Sequence, residues 1–88
     1  MNAISIFCIY NKTLKQYYSP NIMEYNVEAV KAAMYDVVNA TNDNYIKRAP
    51  ANYAVYKVGE FDSKTGKIES IKPKLVIELA ELKEVTSD

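Results

Sequence analysis

The stretch Tyr53–Ile68, YAVYKVGEFDSKTGKI, narrows what this chain can fold into more than any other. Its first nine residues are rich in β-branched and aromatic side chains, which suit a pleated, half-buried strand. Asp62-Ser63-Lys64-Thr65-Gly66 then supplies a turn. The Asp62 side chain can accept from backbone N–H groups ahead of it, and Gly66 can take the positive φ that a type I turn plus bulge requires. A second strand starts at Lys67. An antiparallel hairpin therefore sets the architecture of the C-terminal half. Strict alternation puts Val55 and Phe61 on one face and Tyr56 and Val58 on the other.

The flanking segments decide what the hairpin packs against. Ala3 to Tyr10 reads as a strand in which Ile4, Ile6 and Cys8 alternate with Ser5, Phe7 and Ile9. Two largely apolar faces mark a central or doubly covered strand. Asn11-Lys12-Thr13 is a polar turn, Leu14 to Ser19 a second strand ended by Pro20-Asn21, and the run up to Tyr25 an irregular loop. Asn26 suits an N-cap, and Glu28 sits in the first helical turn, where the dipole favours a carboxylate. The spacing predicts a helix to about Ala40, with Val27, Val30, Met34, Val37 and Val38 on one face as a core stripe. Thr41 to Asn52 reads as a polar loop with room for one helical turn. After Gly66 the pattern predicts a strand over 67–71 and a break at Lys72-Pro73. A fifth strand through Leu75, Ile77 and Leu79, or a short helix over 78–85, follows; Glu, Leu, Ala and Lys favour the helix.

The sum is an α+β fold: a small antiparallel β-sheet of four to five strands with one amphipathic helix packed on one face. It forms a single domain, 1–88, with 85–88 a frayed tail. One helix covers one side of the sheet. The other side, through Phe7 and Ile9 or Tyr56 and Val58, needs a cover, which a homodimer would supply. Base stacking on exposed tyrosines is the other use of such a face.

Composition limits the chemistry. The single cysteine, Cys8, reads as a small buried apolar residue; it cannot form a disulfide within the chain, and without histidine a zinc site lacks its usual ligands. A catalytic thiol would also lack its usual base. Glu60 and Asp62 sit two apart on a strand, as an acid–base pair or a divalent-ion site would. Lys64 and Lys67 stand near enough to make them ordinary strand-end charges. No enzyme activity, cofactor, metal or catalytic residue is expected. The longest uncharged run, Met1 to Asn11, is too short to span a bilayer, and it lacks the basic start and cleavage site of a signal peptide. A cytosolic protein with no membrane contact is expected.

Tyrosine is the unusual component: eight, against two Phe and no Trp. Tyr has an apolar body and a polar tip, which suits half-exposed surfaces. Single-strand binders combine aromatic platforms with cations that track the backbone. The candidate combinations are Lys15 with Tyr17 and Tyr18, Tyr45 with Lys47 and Arg48, and Tyr56 with Lys57. The alternative is that most tyrosines are core or dimer residues with their hydroxyls at the rim. Eleven Lys and Arg balance eleven Asp and Glu, so a nucleic-acid binder of this composition must concentrate its positive charge on one face. The acidic stretch with Glu78, Glu81, Glu84 and Asp88 suits solubility or mimicry of phosphates.

The order of elements, together with the Tyr53–Gly66 segment, resembles the small nonstructural protein of gokushoviruses, single-stranded DNA phages of the Microviridae. That family has an N-terminal Ile/Tyr strand, a short "aP" stretch, an Ala/Val-rich helix, and a Y-x-L-Y-x-x-G-x-[FY]-D-x-x-T-G segment. Here Ser19-Pro20 falls at the "aP" position, Val27 to Val38 at the helix, and Tyr53 to Gly66 at the signature, with Val55 for the usual Leu. The resemblance implies a nonstructural, DNA-binding role in viral DNA replication in the host cytoplasm, at the switch from double-stranded synthesis to single-stranded genome production and packaging. It implies no catalytic residue. The expected partner is single-stranded DNA, with a homodimer as the assembly. The alternative is a protein-interaction module that binds a viral or host replication protein without contacting DNA.

Overall fold

The computed structural model describes residues 3–20 and 22–84. β1 (Ala3–Asn11) runs through the middle of the sheet. Along one edge it pairs antiparallel with β4 (Tyr53–Asp62), from Ala3 opposite Asp62 to Asn11 opposite Tyr53. Its other edge is shared by two short strands. β2 (Gln16–Tyr17) lies beside Tyr10 and Asn11, and β3 (Ile22–Glu24) beside Ser5, Ile6 and Phe7. β5 (Ile68–Glu78) completes the sheet on the far side of β4. One face is crossed by α1 (Val27–Val38), the one-turn helix α2 (Tyr45–Arg48) and 3₁₀ turns at Pro50–Asn52 and Leu79–Leu82. The α+β architecture expected from the sequence is the one observed.

Local chemistry explains these elements. The Asn26 Oδ1 accepts from the Ala29 N–H at 2.9 Å and caps α1. Val30, Met34 and Val38, four apart, form its buried stripe. They meet Phe7 and Val55 from the sheet, Ile46 from α2 and Leu79 from the last turn. Phe7, Val30, Val55 and Leu79 are fully buried, each contributing about 1.5–3 kcal/mol of transfer free energy. At the hairpin, the Asp62 Oδ1 accepts from Lys64 N–H at 2.8 Å and Thr65 N–H at 3.3 Å. The Gly66 N–H donates to the Asp62 carbonyl at 2.7 Å, with Gly66 at φ +76°. The expected turn mechanism therefore operates.

Four expectations are corrected. The second strand is only Gln16–Tyr17; Leu14 belongs to a turn that Lys15 closes at φ 55°. The run before Tyr25 is not irregular throughout, because Ile22–Glu24 adds a strand to the free part of β1. Pro73 does not end a strand: β5 continues through it. Proline is tolerated there because β5 is an edge strand and Ile71, Lys72 and Pro73 fall in a bulge. Finally, the extra residue Val58 in β4 reverses the alternation. Tyr56 lies opposite Cys8 and Phe61 opposite Ile4, so both aromatic side chains share one face. Residues 85–88, expected to fray, lie outside the described residues.

The bulge also explains Gly59. A Cβ built there would stand 2.7 Å from the Glu69 carbonyl oxygen, so a side chain would force β4 and β5 apart. The sheet thus has a covered face, with Phe7, Ile9, Asn11, Tyr53 and Val55 under the helices. Its open face carries Ile4, Ile6, Cys8, Tyr10, Tyr56 and Phe61, with no described element packed across it.

Candidate nucleic-acid interface

Tyr17, at the end of β2, and Tyr18, just past it and still bonded to the Ile9 carbonyl, divide between the two faces. Side chains alternate along a strand, so the consecutive residues Tyr17 and Tyr18 point oppositely. Tyr17 joins Tyr10 and Tyr56 on the open face. The ring centroids are 4.6 Å apart for Tyr10–Tyr17, 5.5 Å for Tyr10–Tyr56 and 5.6 Å for Tyr17–Tyr56, tilted or edge-on. Tyr18 joins Tyr45 and Tyr53 on the covered face, at centroid distances of 6.0 Å for Tyr18–Tyr45, 6.5 Å for Tyr18–Tyr53 and 5.4 Å for Tyr45–Tyr53.

The two trios have different surroundings. In the open trio Tyr17 is 44% exposed and its phenol is raised above the ordinary value, first by desolvation against the sheet and then by Tyr56, Tyr10 and Cys8. The Cys8 thiol beneath is likewise pushed up by burial. In the covered trio Tyr53 is only 7% exposed, and the Tyr18 hydroxyl accepts from the buried Asn11 Nδ2 at 2.8 Å. Asn11 Oδ1 in turn accepts from Leu14 N–H at 3.0 Å and Asn52 Nδ2 at 3.2 Å. Asn52 Oδ1 takes the Thr13 N–H and hydroxyl. This network staples the β1–β2 turn to the 3₁₀ turn at Pro50–Asn52. Tyr45, at the mouth, is half exposed, and burial of its remainder raises its phenol above the usual range.

The cations expected from the sequence do not converge. Lys15 projects from the β1–β2 turn, exposed and without an ion pair among the described residues. Lys47 and Arg48 lie on α2 beside Tyr45. Arg48 is held by Asp43, whose two carboxylate oxygens each accept from Nε at 3.0 Å. That hydrogen bond keeps the Asp43 carboxyl below its usual range. Lys57 sits opposite Phe7, pairs with Glu60 at 3.5 Å, and faces Lys74 directly across the sheet. Like charges in that register are unfavourable unless an anion is near. Tyr17 and Tyr56 are brought together; Tyr18 and Tyr45 form a separate group on the other side.

Sequence reasoning missed Tyr10, which completes the open trio, and Lys72 and Lys74 on the β5 edge, which have no ion pair among the described residues. The Lys-Pro-Lys run at 72–74 was a signal for them, since lysine and proline are typical of exposed edges. Glu60 and Asp62 are accounted for structurally, by Lys57 and by the hairpin turn. Among the described residues no group of three or more His, Cys, Asp or Glu could hold a metal ion, and no helix is long and apolar enough to cross a membrane.

No curated protein and no solved structure matches the chain. The family model of the Phage ORF5 protein does match, over residues 4–82, from Ile4 in β1 to the end of the last 3₁₀ turn. That span contains the sheet except Ala3, together with α1 and both tyrosine trios. A match of that extent settles the family: this chain belongs to the phage ORF5 proteins.

Proposed function

We propose that this phage protein acts in viral DNA replication by binding single-stranded DNA on the open face of its sheet. The observation that carries this reading is the Tyr10–Tyr17–Tyr56 trio, three rings gathered on a face with no described element across it. Every base has a π-face, so aromatic platforms bind single strands with little regard to sequence. Lys15 by β2 and Lys72 in the bulge of the β5 edge stand at the margins of the sheet without an ion pair among the described residues, whereas Lys74, in register with Lys57 and Phe7, belongs to the covered side. This placement lets a chain of zero net charge present local positive charge to phosphates. Membership of a phage family and the likeness of Tyr53–Gly66 to the gokushovirus nonstructural protein support the replication role.

The test is a titration of a fluorescent oligo-dT at several salt concentrations. Affinity falls as salt rises, with a slope of about −0.7 per phosphate neutralised. Tyr17→Ala and Tyr56→Ala each lose about 1–3 kcal/mol of binding. Tyr25→Ala and Tyr35→Ala, exposed outside both trios, lose none. Absence of binding at low salt, or binding indifferent to salt, rejects the proposal.

A second reading has its own observation. The other end of the open face is apolar without tyrosine, with Ile4 and Phe61 beside Ile68, which is 67% exposed, and Leu75, at 46%, extends the apolar surface opposite Tyr56. An exposed apolar surface of that kind suits a protein partner or a second copy of the chain. A pull-down from infected cells treated with nuclease, together with sedimentation of the purified protein, separates the readings. A partner retained after nuclease treatment, with no affinity for oligo-dT, favours the protein-binding module.

A further inference from the structure

We infer that the bound strand does not stay on the open face but crosses the β2 edge and seats a further base against Tyr45 on the covered face. This rests on the single-strand reading and adds a second base site to it. Tyr17, the last residue of the edge strand, and Tyr18, the next, belong to two aromatic groups on opposite sides of the sheet. Among the described residues no further strand lies beyond β2, so a ligand can pass over that edge.

The covered side of the edge holds a place for a base. A hollow of about 490 Å³ is lined by Ile9, Tyr18, Ser19 and Tyr45. It adjoins a depression of about 430 Å³ that shares Ile9 and Tyr45 and extends over Met34 and Val37 to Asn42. Apolar and aromatic walls with a few polar groups at the rim are the usual make-up of a small-ligand site. A nucleobase fits that chemistry: its faces are apolar, and its edge carries donors and acceptors that Ser19 and Asn42 can meet. Tyr45 is the half-exposed ring of its trio, and Tyr18 and Tyr53 behind it hold its orientation.

The edge itself offers what phosphates need. Lys15 lies where β2 begins, exposed and without an ion pair among the described residues. Tyr18 donates its N–H inward to the Ile9 carbonyl at 2.8 Å. Alternation therefore turns the Tyr17 N–H outward, away from the sheet. Lys47, on α2 next to Tyr45, has no ion pair among the described residues and marks the far end of the path.

Oligo-dT of about 4 and about 16 nucleotides, the ends of the range of site sizes for small single-strand binders, tests this. Tyr17→Ala weakens both. Tyr45→Ala weakens the longer oligonucleotide about five-fold or more and leaves the shorter one unchanged, because a short strand is satisfied on the open face. Tyr45→Phe retains the ring and retains the affinity, which separates stacking from a general loss of structure. If Tyr45→Ala binds the long oligonucleotide as wild type does while Tyr17→Ala does not, the crossing is wrong and the open-face site stands. If wild type binds neither length, the single-strand reading itself fails.

Discussion

Tyr17 and Tyr18 are neighbours in the chain, yet one ends in a trio facing solvent and the other in a trio packed beneath helices. Their ring distances are similar, so contact between rings does not distinguish them. What lies on the second side of each ring does. The covered trio is backed by Ile9 and α2, and its Tyr18 hydroxyl has a buried partner in Asn11. A polar tip can be buried only when such a partner exists. The open trio leans on the sheet alone and leaves Tyr17 at the surface. The same residue type thus serves packing on one face and is free for a ligand on the other.

The widest separation between the trios is expected in stability. Tyr53→Ala should cost about 3–5 kcal/mol, as for other large buried aromatics. Tyr17→Ala should cost about 1 kcal/mol, the worth of an exposed ring pair. Urea unfolding of both variants measures the difference, and equal losses would make the open trio a core and break the comparison. Next in size is Asn11→Ala. It strips the Tyr18 hydroxyl, the Leu14 N–H and the Asn52 amide of a shared partner. A buried group left unsatisfied costs about 1–3 kcal/mol. The same unfolding assay should show that loss while oligo-dT of about 4 nucleotides still binds, since Asn11 contacts only the covered trio.

How much of this was legible in the sequence follows from which forces are local. The Asp62–Gly66 turn and the Asn26 cap were readable because each is made within a few residues. The α1 stripe was readable because its period is that of the helix, except at Val27, which the first turn leaves exposed. The make-up of the open face was not, because one inserted residue, Val58, shifts Phe61 to the face of Tyr56. A bulge is set by strand pairing and by the space at Gly59, neither of which alternation can reveal. The short strand β3 was hidden for a similar reason: Ile22–Glu24 is extended only because β1 offers an unpaired edge. Among the candidate site residues, Tyr17 and Tyr56 were identified but Tyr10 was not, since only the register places Tyr10 beside both.

The turn that feeds both trios gives a smaller effect. Lys15 holds φ 55°, the left-handed region, at a cost of about 1–2 kcal/mol for a residue with a Cβ. Lys15→Gly removes that cost and gives back about 0.4–1 kcal/mol through a more flexible unfolded chain. The net gain should be about 0.5–1 kcal/mol by urea unfolding. The same variant should bind oligo-dT more weakly and with a shallower salt dependence, by about 0.7 in slope for one lost phosphate contact. Stability and binding would then move in opposite directions. A variant that gains stability and keeps its full salt slope would remove Lys15 from the interface.

Alkaline titration gives the finest resolution between the trios. Cys8 and Tyr17 on the open face and Tyr45 on the covered face all have raised values in the folded protein. The folded state then keeps protons that the unfolded chain gives up. Stability is full below the unfolded values and falls as pH rises toward the folded ones. The fall should begin near about pH 8.5, where a free thiol ionises, and continue past about pH 10, where free phenols do. In Cys8→Ala the first part of the fall should vanish and the second remain, because the phenols of both faces are untouched. Thermal melts of the two proteins across that range provide the measurement. An onset in Cys8→Ala no different from wild type would mean that the open face does not shield its thiol from ionisation.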